Sequence, residues 1–404
     1  MKLKSIIAVL TATFISTSVW GGHHACEYEN KEELTMLSNS YDAWKAVTNA
    51  MASCGNFTAT LDKDFQQKHS DALAANPSLY DIVGISNGSI TPLINAGTVR
   101  PLDDLVKKYG SQLLPNQLIK IDGKIMAIAM SVNNQHMMYR EDIFSKLGIS
   151  EPKTWSDVIS AAEKIKGSGM VDYPYGGAFK SGWNIAEEFV NMYLGNGGSF
   201  FGSGNAPAIN NAMGEKSLET LKKLTAYMDP EYLASDSTYA QKQMQQEKIA
   251  MGVLWATRAA AMDNAEESKV VGKIKMVSAP MGDARPASSL WWDGIAIAKN
   301  ISDAEAEAAF QVIMEGIDKE MVKANNDKAV WLIDGYNAGK SAMGAKMTAD
   351  NGAVPYPSGT RMGAMHGALG TVVPDFLTGK KSAKETLTAI EDAYIAKAKE
   401  QGLM

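Results

Sequence analysis

Short apolar runs alternate with segments of helical spacing along this chain, and this alternation constrains the fold more than any other feature. Leu34 to Ser38 has the pattern of a strand, and Tyr41 to Ala52 then carries apolar residues at helical spacing. The same order recurs where Tyr80 to Gly84 precedes Ile90 to Ala96. Because strands that alternate with helices pair within one sheet, the pattern predicts an α/β fold whose parallel sheet is flanked by helices.

Later parts of the chain repeat these signals. Ala127 to Tyr139 is a long extended run that could cross between lobes, and Ile249 to Trp255 predicts a strand. Capping boxes, in which a Ser or Thr precedes an acid by three residues, mark helix starts at Thr154 with Asp157, Ser302 with Glu305, and Ser382 with Glu385. The chain has 404 residues, too many for one ordinary domain, so we expect two lobes.

The N-terminus has the features of a secretory signal peptide over residues 1–22. Lys2 and Lys4 precede an apolar run from Ile6 to Val19, and small residues follow. Elsewhere no run approaches the roughly 18 to 20 apolar residues of a membrane-spanning helix. We therefore expect a soluble protein outside the cytoplasmic membrane.

The cysteine content and the net charge limit which cofactors and partners the chain is expected to have. Cys26 and Cys54 are the two cysteines of a chain expected to be exported, which favours a disulfide between them. A metal site built from His23, His24 and Cys26 lacks a fourth ligand at suitable spacing, so we expect neither a metal nor a cofactor. The net charge of −6 does not suit a nucleic-acid partner.

The segment Gly84-Ile85-Ser86-Asn87-Gly88 matches the nucleophile elbow of serine esterases. Such an enzyme needs a later acid and then a histidine, and only His136 and His366 follow, without an oxyanion-hole segment before the serine. The other interpretation is a tight turn that presents Ser86 and Asn87 at the carboxyl end of a strand, where open α/β sheets bind ligands. A scaffold or adhesin is a third possible class.

Aromatic residues stand at strand ends and in loops, often beside polar groups. Asp42 lies near Trp44, Arg258 follows Trp255, and Asp293 follows Trp292. Flat apolar rings with carboxylates and a guanidinium suit a carbohydrate, whose ring faces stack and whose hydroxyls form paired polar contacts. Trp291 and Trp292 are adjacent in a predicted strand and must point to opposite faces, so both cannot enter one core.

The order of the segments resembles the extracellular solute-binding proteins of bacterial ABC importers, in the family that includes the maltose- and other sugar-binding proteins. The most specific part is the Pro-Lys-Thr-Trp helix start at residues 152–155 with its upstream context. The segments that carry the resemblance are residues 80–110, 123–166, 245–262, 291–313 and 379–394.

The resemblance implies two α/β lobes joined by three crossings, which close on a ligand like a hinged trap. One tryptophan of the pair is then expected inside the N-terminal lobe, and the other is expected with Asp293 at the cleft. The crossings are expected near residues 128–134, 279–288 and 323–332, with an N-terminal lobe of residues 23–130 plus 286–325 and a C-terminal lobe of residues 131–285 plus 326–404.

The resemblance also implies a non-catalytic, monomeric periplasmic protein that delivers a mono- or oligosaccharide or a polyol to an inner-membrane ABC permease. Because Arg258, Arg361 and His366 are basic, an acidic or phosphorylated sugar stays open, as does a quaternary ammonium osmolyte held by cation–π attraction. The implied ligand contacts are Tyr41, Asp42, Trp44, Ser86, Asn87, Asn133, Trp183, Trp255, Arg258, Trp291, Trp292, Asp293, Tyr356, Arg361 and His366.

Overall fold

The computed structural model describes residues 26–404 except 63, 64, 66, 67, 122, 204 and 205. The predicted signal peptide, residues 1–22, lies outside this part of the chain, as do His23 and His24. Among the residues described, no helix combines the length and the apolar character needed to cross a membrane.

The strands are numbered in chain order. They are β1 (Leu34–Ser38), β2 (Phe57–Leu61), β3 (Ile82–Ser86), β4 (Leu118–Ile121), β5 (Lys124–Asn133), β6 (Gln135–Arg140), β7 (Tyr173–Gly176), β8 (Ile249–Trp255), β9 (Ile274–Val277), β10 (Ser289–Ile297), β11 (Val330–Trp331) and β12 (Val354–Pro355).

The helices are numbered in the same way. They are α1 (Asp42–Ala52), α2 (His69–Ala74), α3 (Ile90–Ala96), α4 (Asp103–Tyr109), α5 (Glu141–Leu147), α6 (Trp155–Ser168), α7 (Trp183–Gly195), α8 (Ala212–Thr225), α9 (Ser237–Gln245), α10 (Asp303–Gly316), α11 (Lys319–Ala324), α12 (Met343–Asp350), α13 (Thr360–Leu377) and α14 (Ala383–Glu400).

The three predicted capping boxes are confirmed at the starts of α6, α10 and α14. At α6, the Thr154 hydroxyl accepts a hydrogen bond from the Asp157 amide at 3.2 Å, and the Asp157 carboxylate accepts one from the Thr154 amide at 2.9 Å. These reciprocal bonds satisfy amide groups that have no partner within the helix.

The larger sheet has the order β11-β5-β10-β3-β1-β2, with β4 paired to β5 and β12 to β10. Strands β1, β2 and β3 run parallel, whereas β10 is antiparallel to both β3 and β5. The prediction of a parallel sheet is therefore wrong for the second half of this sheet. Parallel neighbours need a crossover connection on the same sheet, and β5 and β10 connect instead to the other sheet.

The smaller sheet has the order β7-β8-β6-β9, in which β8 and β9 flank β6 in antiparallel pairs. Each sheet has its own apolar cores. Helices α1 and α10 cover one face of the larger sheet, and α6, α7, α8 and α13 contribute to the principal core against the smaller sheet. The chain therefore forms the predicted two α/β lobes.

Three passages join the two sheets. The first is immediate, because β5 ends at Asn133 and β6 begins at Gln135. The second, residues 278–288, leads from β9 to β10. The third follows β11, since Val330–Trp331 still pairs with β5 and α12 already packs on the smaller sheet. The exact lobe boundaries remain a prediction, and we propose residues 332–342 for the third passage in place of 323–332.

Cys26 and Cys54 form the predicted disulfide. It ties the segment before β1 to the residues that follow α1, so it fixes the first described residues on the larger lobe.

Candidate ligand-binding cleft

Strand β10 sets the geometry of the cleft between the lobes. Its register pairs Trp291 with Asn133 and Asp293 with Ser131 of β5. Because directly opposed residues of an antiparallel pair project to the same face, Trp291, Asp293 and Asn133 lie on one side of the sheet. Trp292 projects to the other side.

Trp292 packs in the core beneath α3, where 7% of its surface stays exposed, whereas Trp291 is half-buried and lines a cavity. The strand alternation that separates the two rings thus places Trp291 at the cleft and removes Trp292 from the predicted ligand contacts. The sequence could not decide which ring would take which role.

Asn87 is buried at the carboxyl end of β3 and holds β10 in place. Its Oδ1 accepts a hydrogen bond from the Trp292 amide at 2.7 Å, and its Nδ2 donates to the Leu290 carbonyl at 3.2 Å. Both ends of the side-chain amide are therefore engaged with the strand that carries Trp291. Asn87 borders the cleft as a clamp on this strand.

Five rings form an aromatic cluster at the centre of the cleft: Trp183, Trp255, Trp291, Tyr356 and His366. The Trp291 ring lies 4.2 Å from Tyr356 and 5.6 Å from Trp183, between ring centroids. Trp183 in turn lies 6.2 Å from Trp255 and 5.2 Å from His366. At these spacings the rings contact one another and leave no gap for a further ring between them.

Exposure differs sharply within the cluster. Trp183, at the start of α7, is 48% exposed, whereas Trp255, at the end of β8, is 8% exposed and lines neither cavity described below. Trp183 therefore offers a free face to a ligand, and Trp255 supports it from behind.

His366 holds the cluster together as a neutral ring. Its Nε2 lies 3.0 Å from the Trp183 carbonyl and its Nδ1 lies 2.8 Å from the Tyr356 hydroxyl. A carbonyl can only accept, so Nε2 donates to it and Nδ1 accepts from Tyr356. Burial lowers the pKa of His366 to about 4, which removes a positive charge from the predicted contacts.

Glu187 supports the cluster from helix α7 and was missed by the sequence analysis. Its Oε1 accepts hydrogen bonds from the Trp291 indole at 2.9 Å and from the Ser289 hydroxyl at 2.7 Å. Its Oε2 is buried without a partner. Burial raises the pKa of Glu187 to about 7.

The neighbouring Glu188 extends this buried network to the first passage. Gln135, which begins β6, donates to Glu188 at 2.9 Å and accepts from Asn191 at 3.3 Å. Asn191 accepts in turn from the Ser289 amide at 2.7 Å. The available sequence signal was the Glu-Glu pair in the otherwise apolar segment 185–194, where unpaired charges are costly.

An outer cavity of about 1080 Å³ opens on one side of the cluster, between α3 of one lobe and α13 and α14 of the other. Across its mouth, Asn95 donates a hydrogen bond to the Thr360 hydroxyl at 3.0 Å. The lining is mostly apolar and includes Asn87, Pro92, Asn95, Trp183, Trp291, Tyr356, Thr360, His366 and Lys397.

A smaller hinge cavity of about 380 Å³ lies at the ends of β5 and β10, beside the first passage. Apolar side chains such as Val132 and Val330 line part of it, and its polar lining residues include Tyr41, Asp42, Ser131, Asn133, Thr257, Asp293, Asp327, Lys328, Tyr336 and Ser341. Within it, Tyr41 lies next to Asp293. Burial raises the pKa of Asp293 to about 6, and burial together with the Asp293 charge raises the pKa of Tyr41.

The lysines that line the two cavities are paired with adjacent acids. Lys328 lies 3.4 Å from Asp327 at the hinge cavity, and Lys397 lies 2.9 Å from Glu400 at the outer cavity. No arginine lines either cavity among the described residues.

Neither Arg258 nor Arg361 lines either cavity in the described structure, so their role as ligand contacts stays a prediction. Arg258 donates to the Gln241 side chain of α9 at 3.3 Å. Arg361 donates to the Leu403 carbonyl at 3.4 Å, on the side of α13 that packs against α14.

Trp44 is also removed from the predicted contacts. Its ring is fully buried in the core between α1 and the larger sheet. Gly84 of β3 makes this possible, because a Cβ there would come within 2.9 Å of the Trp44 ring.

Ser86 does not meet a histidine in the described structure. Its hydroxyl lies 3.3 Å from the Ser89 hydroxyl. The described histidines have other partners: His69 the Ser70 hydroxyl, His136 the Met137 carbonyl, and His366 Tyr356 and Trp183. The geometry therefore gives no support to the esterase interpretation.

Two α/β lobes with three passages and a cleft at their junction define a two-lobed binding protein. The family model of bacterial extracellular solute-binding proteins matches residues 59–314, and the chain belongs to this family.

Curated relatives are similar over part of the chain. A probable sugar-binding periplasmic protein of Mesorhizobium japonicum is 27% identical over 151 residues, which cover 35% of this chain and 36% of the relative. The sn-glycerol-3-phosphate-binding periplasmic protein UgpB of Brucella abortus is 30% identical over 162 residues, 37% of this chain and 36% of that protein. The chain thus matches little more than a third of the length of these relatives.

The similarity to solved structures spans more of the chain. An ABC transporter solute-binding protein of Agrobacterium radiobacter, in complex with ribitol, superposes with a TM-score of 0.73 over 92% of this chain and 100% of that chain. The sequence identity is 20%, so this comparison establishes the shared two-lobed fold.

Proposed function

We propose that the protein is the substrate-binding component of an ABC importer and captures a small polyhydroxylated ligand, a mono- or oligosaccharide or a polyol. The observation that carries this proposal is the aromatic cluster at the junction of the lobes, with a polar cavity beside it. Apolar C–H faces of a sugar stack on exposed indole surface, and its hydroxyls pair with nearby polar groups. The name of the Mesorhizobium relative and the ribitol complex are consistent with such a ligand, whereas the Brucella relative is named for the phosphate ester sn-glycerol 3-phosphate.

The proposed ligand contacts are the described side chains that reach the cleft with a free face or polar group. Trp183, Trp291 and Tyr356 offer ring surface, while Asp293 and Asn133 offer acceptors. Tyr41 and Asp42 border the hinge cavity. Asn87, Trp255, Glu187 and His366 hold these groups in position.

In this proposal the lobes close around the ligand by a hinge motion at the three passages. The protein acts in the periplasm as a monomer and delivers its ligand to an inner-membrane permease with its ATPase. It catalyses no reaction, so a serine-reactive fluorophosphonate leaves Ser86 unmodified. Efficient labelling of Ser86 would revive the hydrolase interpretation.

The test is a thermal-shift panel of sugars and polyols, followed by calorimetric titration of every compound that raises the melting temperature. A ligand present at 100 times its dissociation constant adds about 2.7 kcal/mol to the free energy of unfolding. Trp183→Ala should lose most of this effect. Tyr239→Ala removes an equally exposed ring on α9, outside both cavities, and should retain it. If no sugar or polyol binds, a scaffold or adhesin becomes the better interpretation.

A further inference from the structure

The hinge cavity carries one carboxylate without a counter-ion among its described lining residues. Asp42 is paired with Lys45 at 2.9 Å, and Asp327 is paired with Lys328 at 3.4 Å. Asp293 has neither a lysine nor an arginine as an ion-pair partner, and Tyr41 is its polar neighbour. The excess charge that faces this cavity is therefore negative.

The position of Asp293 makes this charge costly. It is half-buried in the middle of β10, and burial raises its pKa to about 6, so it is largely ionised at neutral pH. A partly desolvated carboxylate is strongly disfavoured unless a cation or several donors satisfy it. Tyr41 supplies one donor and leaves the remaining acceptor capacity unused.

A second acceptor in the same cavity also lacks a partner. Asn133 Oδ1 is buried and receives no hydrogen bond. Asn133 and Asp293 lie two residue positions apart along the β5–β10 ladder, on the same face. An amide oxygen without a partner and a carboxylate with unused acceptor capacity call for a ligand group with several N–H or O–H donors.

We propose that the hinge cavity holds the protonated primary amine of a hydroxylated ligand, an amino sugar or amino polyol, with Asp293 as its counter-ion and Asn133 Oδ1 as a second acceptor. This inference rests on the proposed function and specifies its ligand. A primary ammonium has three donors and a positive charge, which matches both acceptors. The cavity volume of about 380 Å³ suits a small ligand, since pockets for such molecules span about 300 to 1,000 Å³.

The charges around the two cavities also disfavour a phosphate ester as the ligand. The lysines that line the two cavities already have acidic partners, and Arg258 and Arg361 point elsewhere. A phosphate near Asp293 would meet a like charge. A quaternary ammonium carries the right charge but has no N–H for Asn133.

The experiment is calorimetric titration of the mature chain with matched ligand pairs at low salt. The pairs are glucosamine and glucose, galactosamine and galactose, and glucamine and sorbitol. N-acetylglucosamine keeps the nitrogen without its charge, and glycine betaine and sn-glycerol 3-phosphate complete the set. We expect at least one amine to bind about tenfold or more tightly than its hydroxyl partner, because close, partly desolvated charge pairs contribute this much or more. This comparison uses wild-type protein and does not depend on the folding of a variant.

Two variants test whether Asp293 causes the preference for the amine. Asp293→Asn keeps the shape of the side chain and should remove most of the preference for the amine. Asp172→Asn removes one negative charge from an exposed pair with Lys248 and should keep it. A preference that survives in Asp293→Asn would overturn the assignment of the counter-ion.

The remaining outcomes also decide the inference. Equal or tighter binding of the neutral partners would overturn the amine and leave the proposed function intact. Tightest binding of glycerol 3-phosphate, or binding of betaine without any primary amine, would overturn it as well. If no hydroxylated compound binds at all, the proposed function fails, and the inference fails with it.

Discussion

The buried carboxylate of Glu187 accepts a hydrogen bond from the indole of Trp291 at 2.9 Å. Helix α7 belongs to the lobe of the smaller sheet, whereas Trp291 stands on β10 of the larger sheet. One oxygen of an acid in the core of one lobe thus fixes the orientation of a cleft ring carried by the other.

Removing this acceptor should affect both stability and binding. In Glu187→Leu the Trp291 indole and the Ser289 hydroxyl lose their partner, so we expect the free energy of unfolding to fall by about 1 to 3 kcal/mol and ligand affinity to fall with it. Glu187→Gln keeps an acceptor oxygen and should lose less. Urea denaturation and calorimetry measure both quantities, and Glu163→Gln on the exposed face of α6 is the control. Wild-type behaviour of Glu187→Leu would contradict this role.

The buried acids should make the protein less stable as the pH rises above neutrality. Burial raises the pKa of Glu187 to about 7 and of Glu188 to about 8, from 4.5. A carboxyl with a raised folded pKa stabilises the fold fully below its unfolded pKa and loses this contribution as pH rises through the folded value. Burial lowers the pKa values of His136 and His366 from 6.5 to about 4. These two groups therefore make the fold more stable as the pH rises from about 4 to about 6.5, and they do not change its stability further above that range.

Of these four groups, only the two acids therefore change stability above about pH 6.5. We expect the free energy of unfolding to fall by about 1 to 3 kcal/mol between about pH 6.5 and pH 8. Urea denaturation at both pH values measures the change, and Glu188→Gln should reduce it. A free energy of unfolding that stays constant or rises between these pH values would contradict the raised pKa values of Glu187 and Glu188.

Trp183 and Trp255 contact each other and Trp291 but differ in exposure, so truncating them should have different effects. Trp255→Ala leaves a cavity and should lower the free energy of unfolding of the unliganded protein by about 3 to 5 kcal/mol. Trp183→Ala removes a ring that is 48% exposed and should leave unliganded stability within about 1 kcal/mol of wild type. Its ligand affinity should fall by about 30- to 1000-fold, as for a central stacking aromatic. Melting and affinity measured on the same samples test this contrast, which equal melting losses would refute.

The disulfide should contribute to stability without affecting the cleft. It closes a loop with a sequence separation of 28 residues, and the double variant Cys26→Ser, Cys54→Ser should lose about 3 to 4 kcal/mol by chain-entropy arguments. Ligand affinity should stay unchanged, because neither cysteine lines the outer or hinge cavity. Alkylation and mass spectrometry of the exported protein without reductant should find both thiols blocked. Two free thiols would contradict the bridge.

Features set by neighbouring residues were predictable from the sequence. The capping boxes at Thr154 and Ser302 depend on bonds within a few residues, and the strand Ile249–Trp255 is defined by a local apolar run. The antiparallel pairing of β10 with β3 could not be predicted in this way, because it depends on the direction in which the chain returns from the other lobe.

The kinds of residue at the site could be predicted from the sequence, but the directions in which their side chains point could not. Aromatic rings at strand ends did assemble at the lobe junction, yet the burial of Trp44 depends on the missing side chain of Gly84, far away in sequence. The side of α13 on which Arg361 lies depends on the packing of α14. The Glu-Glu pair at residues 187–188 was a visible signal, but the role of Glu187 depends on its partner on β10.

Strand β10 holds a cleft ring and a core ring at consecutive positions, and this limits how the binding surface can diversify. An insertion or deletion of one residue between the strand start and Trp291 would exchange the faces of Trp291 and Trp292 and lose the core contact beneath α3. Point substitution at Trp291 avoids this damage, since Asn87 clamps the backbone on either side of it and not the ring itself. Proteins with this arrangement can therefore acquire new ligands by replacing single side chains at fixed chain length, with the strand register acting as an inherited constraint.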